Sequence, residues 1–488
     1  MPGRFGTRRV RGDHSPAYAS FDGENMRLLS SDSLDSMKLD LDAREEIIRS
    51  AVYDTLAELP LPDLSDQIVA TYWVYAATLT PVQVGQEISY HMTSGVRKPV
   101  PGSLLDQCTG RVIDAVEFDS SGRLGVVRVG FPLKMLRHED GSLYSTDILH
   151  VTAGEGVFGL TENVDIKLCN IAMSDETLRL FPGPAYGAPG VRELTNFGSE
   201  IAFGTILKPC TGMTPEEEAA IVAEAASNPM FIFVKEDENY LPDVPFAPLR
   251  QRLQRALDAV READAGRGRK GLIYAPHITS PPDILRRHVE TCIDAGANGI
   301  MLSELFLGGG FRMVREMTKR LSNPPALYAH NGGISVRTRH IYREVLDMFA
   351  RLDGGDFRQT APVTTGKGLL RPFGLEWRKC EEVLSKPLGG HPPVMMARAG
   401  GLDQGNIIPN LLDAAAGAGV ENYLFLAGSA INGIKNAAGE YDPALGAEAM
   451  KQAIQVYQQG VFTKPADNHA LELKAYADAH NLSALSTA

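Results

Sequence analysis

Between residues 203 and 427 the chain repeats one pattern, a short apolar run followed by a stretch whose apolar residues recur at helical spacing. The runs fall at 203–208, 230–235, 271–277, 299–302, 326–330, 357–364 (the poorest), 394–399 and 423–427. Strands apolar on both faces suit a parallel sheet covered by helices, and alternation of strand and helix supplies the crossovers. Eight such units predict an α/β fold built on a (β/α)8 barrel. The intervening segments carry helix signals: Thr214 stands as N-cap before Pro215 with Glu217 three residues on, and residues 282–295 form a second helix. The competing fold is a doubly wound open sheet, but no GxGxxG follows the first run and no ribose-binding acid stands in the usual place.

A barrel gathers its chemistry at the C-terminal ends of its strands. Those ends carry Lys208, then Lys235 with Asp237 and Glu238, His277, Glu304, His330, Lys367, Gly400-Gly401 and Ala427-Gly428-Ser429. Singly each has a plain explanation, a solvated charge, a satisfied core histidine or a turn; together they converge. The run Met230-Phe-Ile-Phe-Val-Lys235-Glu236-Asp237-Glu238 is the most specific of them. Strict alternation cannot aim Lys235, Asp237 and Glu238 at one point, so the strand is expected to end near Lys235. Mg²⁺ takes oxygen ligands, and a lysine joins such a set only if CO₂ converts it to a carbamate. The glycines after the last two strands offer backbone N–H groups to a phosphate, which predicts a sugar phosphate at Gly400, Gly401, Ala427 and Gly428.

Upstream, residues 1–64 read as a polar, partly disordered extension with one helix over 41–59, and residues 65–198 as a smaller α+β domain with its linker. Strands are expected there at 68–77, 110–118, 124–131 and 148–153, with one helix before Val112 and linker signals over 170–200. The barrel spans 199–462, and 463–488 form a helical tail. A net charge of −12 argues against a nucleic-acid partner. Five scattered cysteines without CxxC pairing, no apolar run long enough for a bilayer and no secretory-type N-terminus predict a cytoplasmic protein without disulfides or membrane contact.

These residues resemble the large subunit of ribulose bisphosphate carboxylase (RuBisCO), and more specifically the RuBisCO-like proteins, over residues 68–460. Gly204-Thr-Ile-Leu-Lys208-Pro209 is similar to the family's GxxxKP strand, Phe233-Val-Lys235-Glu-Asp237-Glu238-Asn239 to its FxKDDEN metal motif and Ala399-Gly400-Gly401 to its SGG turn. Gly354-Gly355-Asp356 followed by Thr365-Gly366-Lys367 resembles its GGD segment and mobile-loop lysine. The resemblance implies Lys235 as the carbamylated lysine, Asp237 and Glu238 as the other Mg²⁺ ligands, and Lys208, His330 and Lys367 as catalytic groups. It also implies a homodimer, or an assembly of dimers, in which the N-terminal domain closes the partner's site.

The departures bear on substrate. Cys210 replaces a second lysine, and Asn331, Gln359 and Ala399 replace the arginine, histidine and serine that hold one of two phosphates in carboxylases. Two lost charge-assisted contacts are worth ~1.5–3 kcal/mol each, so a bisphosphate should bind badly. His91 stands for the catalytic glutamate of the N-terminal domain, and Ser94-Gly95-Val96-Arg97 for its TGTW. The machinery retained makes an enediolate beside a carbonyl, with a lysine of lowered pKa, Lys208, moving the proton. The leading expectation is decarboxylation of a 3-oxo sugar-acid monophosphate. The alternatives are an isomerase or enolase acting on a methylthio-pentulose phosphate, authentic carboxylation of ribulose bisphosphate, and a non-catalytic barrel scaffold.

Overall fold

The computed structural model describes residues 18–21, 26–29, 31–118, 122–161, 163–198, 200–267, 271–303, 309–363, 374–463 and 469–487. Two units divide after Leu59. The first holds a hairpin, β1 (Tyr18–Phe21) antiparallel to β2 (Met26–Leu29), and one long helix, Ser31–Glu58, ten residues longer at its start than the sequence reading.

The second unit opens with a four-stranded antiparallel sheet of β3 (Gln67–Ala76), β4 (Arg111–Glu117), β5 (Leu124–Pro132) and β6 (Asn163–Ala172), in the order β4-β5-β3-β6. The helix Pro81–Met92 starts at a capping box, Thr80 N–H donating to Gln83 Oε1 at 2.9 Å, and lays Gly85 against Val127 and Val112 of the sheet. The predicted strand over 148–153 is instead the C-terminal part of a helix, Ser145–Thr152. Its buried residues Ser145, Ile148 and Thr152 recur at helical spacing, and that burial overrides the β-branched composition. The fourth strand is β6, where sequence periodicity gave no signal.

The barrel strands are β7 (Ala202–Ile206), β8 (Phe231–Lys235), β9 (Ile273–Ala275), β10 (Gly299–Ser303), β11 (Ala326–His330), β12 (Phe357–Thr360), β13 (Met395–Ala399) and β14 (Tyr423–Ala427). All pair in parallel, and β14 returns to β7. Between β9 and β10 the ring closes just past the short β9, where Met301 N–H donates to Pro276 O (2.9 Å) and Ile278 N–H to Met301 O (3.1 Å). Alternate residues face inward, so Phe233, Met301, Tyr328, Phe357, Met395 and Leu424 fill the interior while Val234, Ala329 and Phe425 pack under the helices.

Residues 170–200 do more than link. The helix Gly187–Leu194 puts Ala188 and Val191 into the interior cluster, and Tyr186 and Gly187 donate their N–H groups to Asp356 just before β12. This helix therefore plugs the N-terminal end of the barrel and leaves the C-terminal end as the open face. At the chain's end, Ala470–Ala479 and Ser483–Thr487 are helical, and Leu485 N–H docks on Gln452 of the helix Pro443–Gln458. The five cysteines are free, and no described helix is long and apolar enough to cross a membrane.

Candidate active site

Period-two alternation places Phe233 and Lys235 on the inner face of β8, and the strand stops at Lys235. Glu236 then turns outward. It is fully buried, pairs with Arg252 through two bonds (2.7 and 3.0 Å), and accepts from Tyr274 Oη (2.7 Å) and the His277 N–H (2.8 Å). Arg252 also donates to the carbonyls of Pro242 (2.6 Å) and Ala247 (2.9 Å), tying down the loop after the strand. This anchor lets Asp237 and Glu238 curl back over the mouth.

Two chains of contacts meet there. Lys208, at the end of the first barrel strand, bonds Asp237 Oδ2 and lies 3.0 Å from Cys210 Sγ. Asp237 Oδ1 accepts both the backbone (3.0 Å) and side-chain (2.9 Å) N–H groups of Asn239. In the second chain, Lys235 Nζ is 3.7 Å from Glu238 Oε2, which is 3.2 Å from His330 Nε2. His330 Nδ1 accepts the Gly332 N–H at 3.0 Å, so the ring proton sits on Nε2 and points at Glu238.

The electrostatics follow. Burial pushes the Lys235 ammonium down to about 8 against the pull of Glu238 and Asp237. Burial, then the charge of Lys235, brings His330 down to about 4, so its ring is neutral at pH 7. Burial opposes charge on Glu238, but the His330 hydrogen bond and Lys235 hold it well below the usual carboxylate range. Lys208 departs from expectation: burial works to lower it, yet Asp237 and then Cys210 outweigh burial and its net shift is upward. The lysine of lowered pKa is Lys235.

The remaining candidates divide. Gly400 and Gly401 follow β13 with φ of +99° and +87°, a backbone that side chains resist, and Gly428 lies so close to Lys208 that a Cβ there would sit 3.1 Å from Lys208 Cε. Ala427 ends β14 beside them. Gln359 Nε2 donates to Asn331 Oδ1 at 2.7 Å across the ends of β11 and β12. His277 is committed to structure, with Nδ1 on Tyr240 O (3.1 Å) and Nε2 on Thr279 Oγ1 (2.6 Å). His91 stands apart: it is exposed on the helix Pro81–Met92, 3.6 Å from Glu87 and edge-on to Tyr90, with no barrel-mouth residue in contact among the described residues. Lys367 and Glu304 lie outside the described residues. The Glu236–Arg252 anchor escaped sequence reading because nothing in a 16-residue spacing marks it, and Asn239 was read only as a motif letter.

Comparison with known proteins agrees with this architecture. Residues 188–482 match the family model for the ribulose bisphosphate carboxylase large chain, catalytic domain. A ribulose bisphosphate carboxylase-like protein of Archaeoglobus fulgidus is 24% identical over 87% of this chain and 93% of its own. A 3-oxo-isoapionate-4-phosphate decarboxylase of Rhizobium rhizogenes is 26% identical over 52% of this chain and 62% of its own. The octameric RuBisCO of Pyrococcus horikoshii superposes with a TM-score of 0.73 at 22% identity, over 88% of this chain and 96% of that one. With more than half its length matched to the catalytic-domain model, the chain belongs to the ribulose bisphosphate carboxylase large-chain family, the family that also holds the RuBisCO-like proteins.

Proposed function

We propose that this chain is a Mg²⁺-dependent RuBisCO-like lyase that removes the carboxyl group of a 3-oxo sugar-acid monophosphate by way of an enediolate. The observation that carries the reading is Lys208, held as an ammonium by Asp237 at the barrel mouth beside the buried amine of Lys235. Cleavage of a 3-oxo acid needs an acid more than a base. The bond between the carboxyl carbon and C2 breaks, its electron pair moves into the C3 carbonyl, CO₂ leaves, and a proton must then reach C2. An ammonium supplies that proton, whereas isomerases and enolases must first abstract one. The decarboxylase among the relatives, named for 3-oxo-isoapionate 4-phosphate, supports the same choice.

The metal fits these residues on one condition. Among the described residues no three His, Cys, Asp or Glu side chains converge as a ready cage, and the mouth offers two carboxylates, Asp237 and Glu238. A carbamate on Lys235 adds the missing oxygen ligand: the neutral amine attacks CO₂, the N–C bond forms and the nitrogen's proton leaves. A pKa brought to about 8 keeps part of the amine neutral for that attack. When bound, Mg²⁺ supplies positive charge to the oxygen that gains electron density. Asn239 fixes Asp237, neutral His330 steadies Glu238, and Lys367 is assigned to the departing carboxylate. The glycine turns at Gly400, Gly401 and Gly428 with Ala427 take the single phosphate, and His91 is assigned to a partner's site in a homodimer. The test is CO₂ release from 3-oxo-isoapionate 4-phosphate with Mg²⁺ and bicarbonate; absence of release, or unchanged turnover in Lys235→Ala, refutes the reading.

A further inference from the structure

Three glutamates in a row open the helix Pro215–Ser227, and their surroundings differ. Glu216 and Glu217 are exposed, whereas Glu218 is fully buried against Tyr274, which points outward from β9 beneath the helix. The Tyr274 hydroxyl lies between two carboxyl groups, touching Glu218 Oε1 on one side and Glu236 Oε1 at 2.7 Å on the other. A phenol has one proton to give. Glu236 is the carboxylate: two Arg252 bonds and the His277 N–H already converge on it, and the Tyr274 proton is its fourth donor. Glu218 has no such support. Arg252 pairs with Glu236, no ion pair reaches Glu218 among the described residues, and its Oε2 is buried without a hydrogen-bond partner. A bare carboxylate there would be costly, so the second contact of Tyr274 requires that Glu218 hold a proton. Burial, then the charge of Glu236, pushes the Glu218 carboxyl well above its usual range, against the pull of Arg252.

We infer that Glu218 is a neutral carboxylic acid and, with Tyr274, a positioning residue for the turn that carries Asp237 and Glu238. The Glu218 O–H donates to Tyr274 Oη, the Tyr274 O–H donates to Glu236 Oε1, and Glu236 keeps four donors at the point where the chain leaves β8. Donors in series polarise one another, so the acid strengthens the phenol's hold on Glu236. An ionised Glu218 would instead take the phenol proton and set two negative charges against the single Arg252. The inference deepens the proposed metal site and rests on Asp237 and Glu238 as its ligands.

Infrared difference spectra of the full chain, wild type minus Glu218→Gln at neutral pH, are expected to show the carbonyl band of one protonated carboxylic acid. Mn²⁺ binding in the presence of bicarbonate, read from the electron paramagnetic resonance of free Mn²⁺, reports the ligand-bearing turn without any turnover. Glu218→Met and Tyr274→Phe should each weaken it about three- to tenfold. The double variant should lose no more than Tyr274→Phe alone, because one break interrupts the chain, whereas independent packing losses would add. Glu218→Gln, whose amide N–H still donates to the phenol, should bind Mn²⁺ within about twofold of wild type. Absence of the acid band, a Glu218→Gln chain as weak as Glu218→Met, or additive losses in the double variant overturn the proposal. If Tyr274→Phe does not fold, the acid band and the comparison of the two Glu218 variants decide it. In a wild type that binds no Mn²⁺ the metal reading falls, while the acid band and the urea midpoints of the same variants, expected in the same order, still decide the proton chain.

Discussion

Lys235 is an amine sealed in the mouth of a barrel, and protonation decides whether it can react with CO₂. Burial brings its pKa down to about 8, so the reactive neutral form gains population as pH rises through that value. At constant dissolved CO₂ and Mg²⁺, the rate of carbamate formation, followed by its ¹³C signal, is expected to rise about tenfold between pH 7 and pH 9, the change in neutral fraction for such a group. A flat profile would contradict the assignment. At this scale the positions of Lys208, Lys235, Asp237, Glu238 and His330 were legible in the sequence because they stand at or just past strand ends; period two aims Lys235 and His330, while the turn after β8 brings Asp237 and Glu238 back. The sign of the Lys208 shift was not. It depends on Asp237, 29 residues away, and on Cys210 beside it, contacts that only folding brings together.

At the scale of elements, strand β8 and the helix Leu249–Arg267 act as one piece through the Glu236–Arg252 pair, both fully buried. Arg252→Ala leaves Glu236 as an unpaired buried charge and frees the loop over 241–247. A cost of about 3–5 kcal/mol is expected, read as a lower denaturation midpoint in urea, with metal affinity falling alongside because Asp237 and Glu238 follow Glu236 directly. A change within about 0.5 kcal/mol would show that the pair does not anchor the strand end. Most of the barrel strands were legible because residues buried on both faces read as apolar runs; β12, with Arg358, Gln359 and Thr360 after Phe357, gave the poorest signal. In the smaller sheet one face is partly wet, so β6, with Asn163, Asp165 and Lys167 among its residues, carried no such signal. The helix Ser145–Thr152 imitated a strand through its Ile, Val and Thr content until burial at helical spacing decided it.

For the whole molecule, the exposed position of His91 gives the proposed dimer a sharp test. If each N-terminal domain completes the partner's site, His91→Ala and Lys235→Ala chains are each inactive alone, but mixing and reassociating them creates hybrids with one intact site. Random pairing is expected to restore about a quarter of the wild-type rate, at a sedimentation mass of twice the chain or a multiple of that. No recovery in a mixture shown to exchange subunits would remove His91 from the mechanism. Fold class was legible at this scale from strand and helix alternation. The plug made by Gly187–Leu194 was not, because its Pro and Gly content reads as linker until Asp356 and Pro393 are seen to hold it under the barrel. On the proposed reading, Lys235, with Asp237 and Glu238, equips this barrel to cleave a carboxyl group from a 3-oxo sugar-acid monophosphate. The direct measurement is CO₂ released from that substrate by wild-type and Lys235→Ala chains under Mg²⁺ and bicarbonate. Release by the wild type with a loss of about 10³-fold or more in the variant, the rate equivalent of several kcal/mol of charge stabilisation, is predicted; no release by the wild type, or equal release by both, would contradict it.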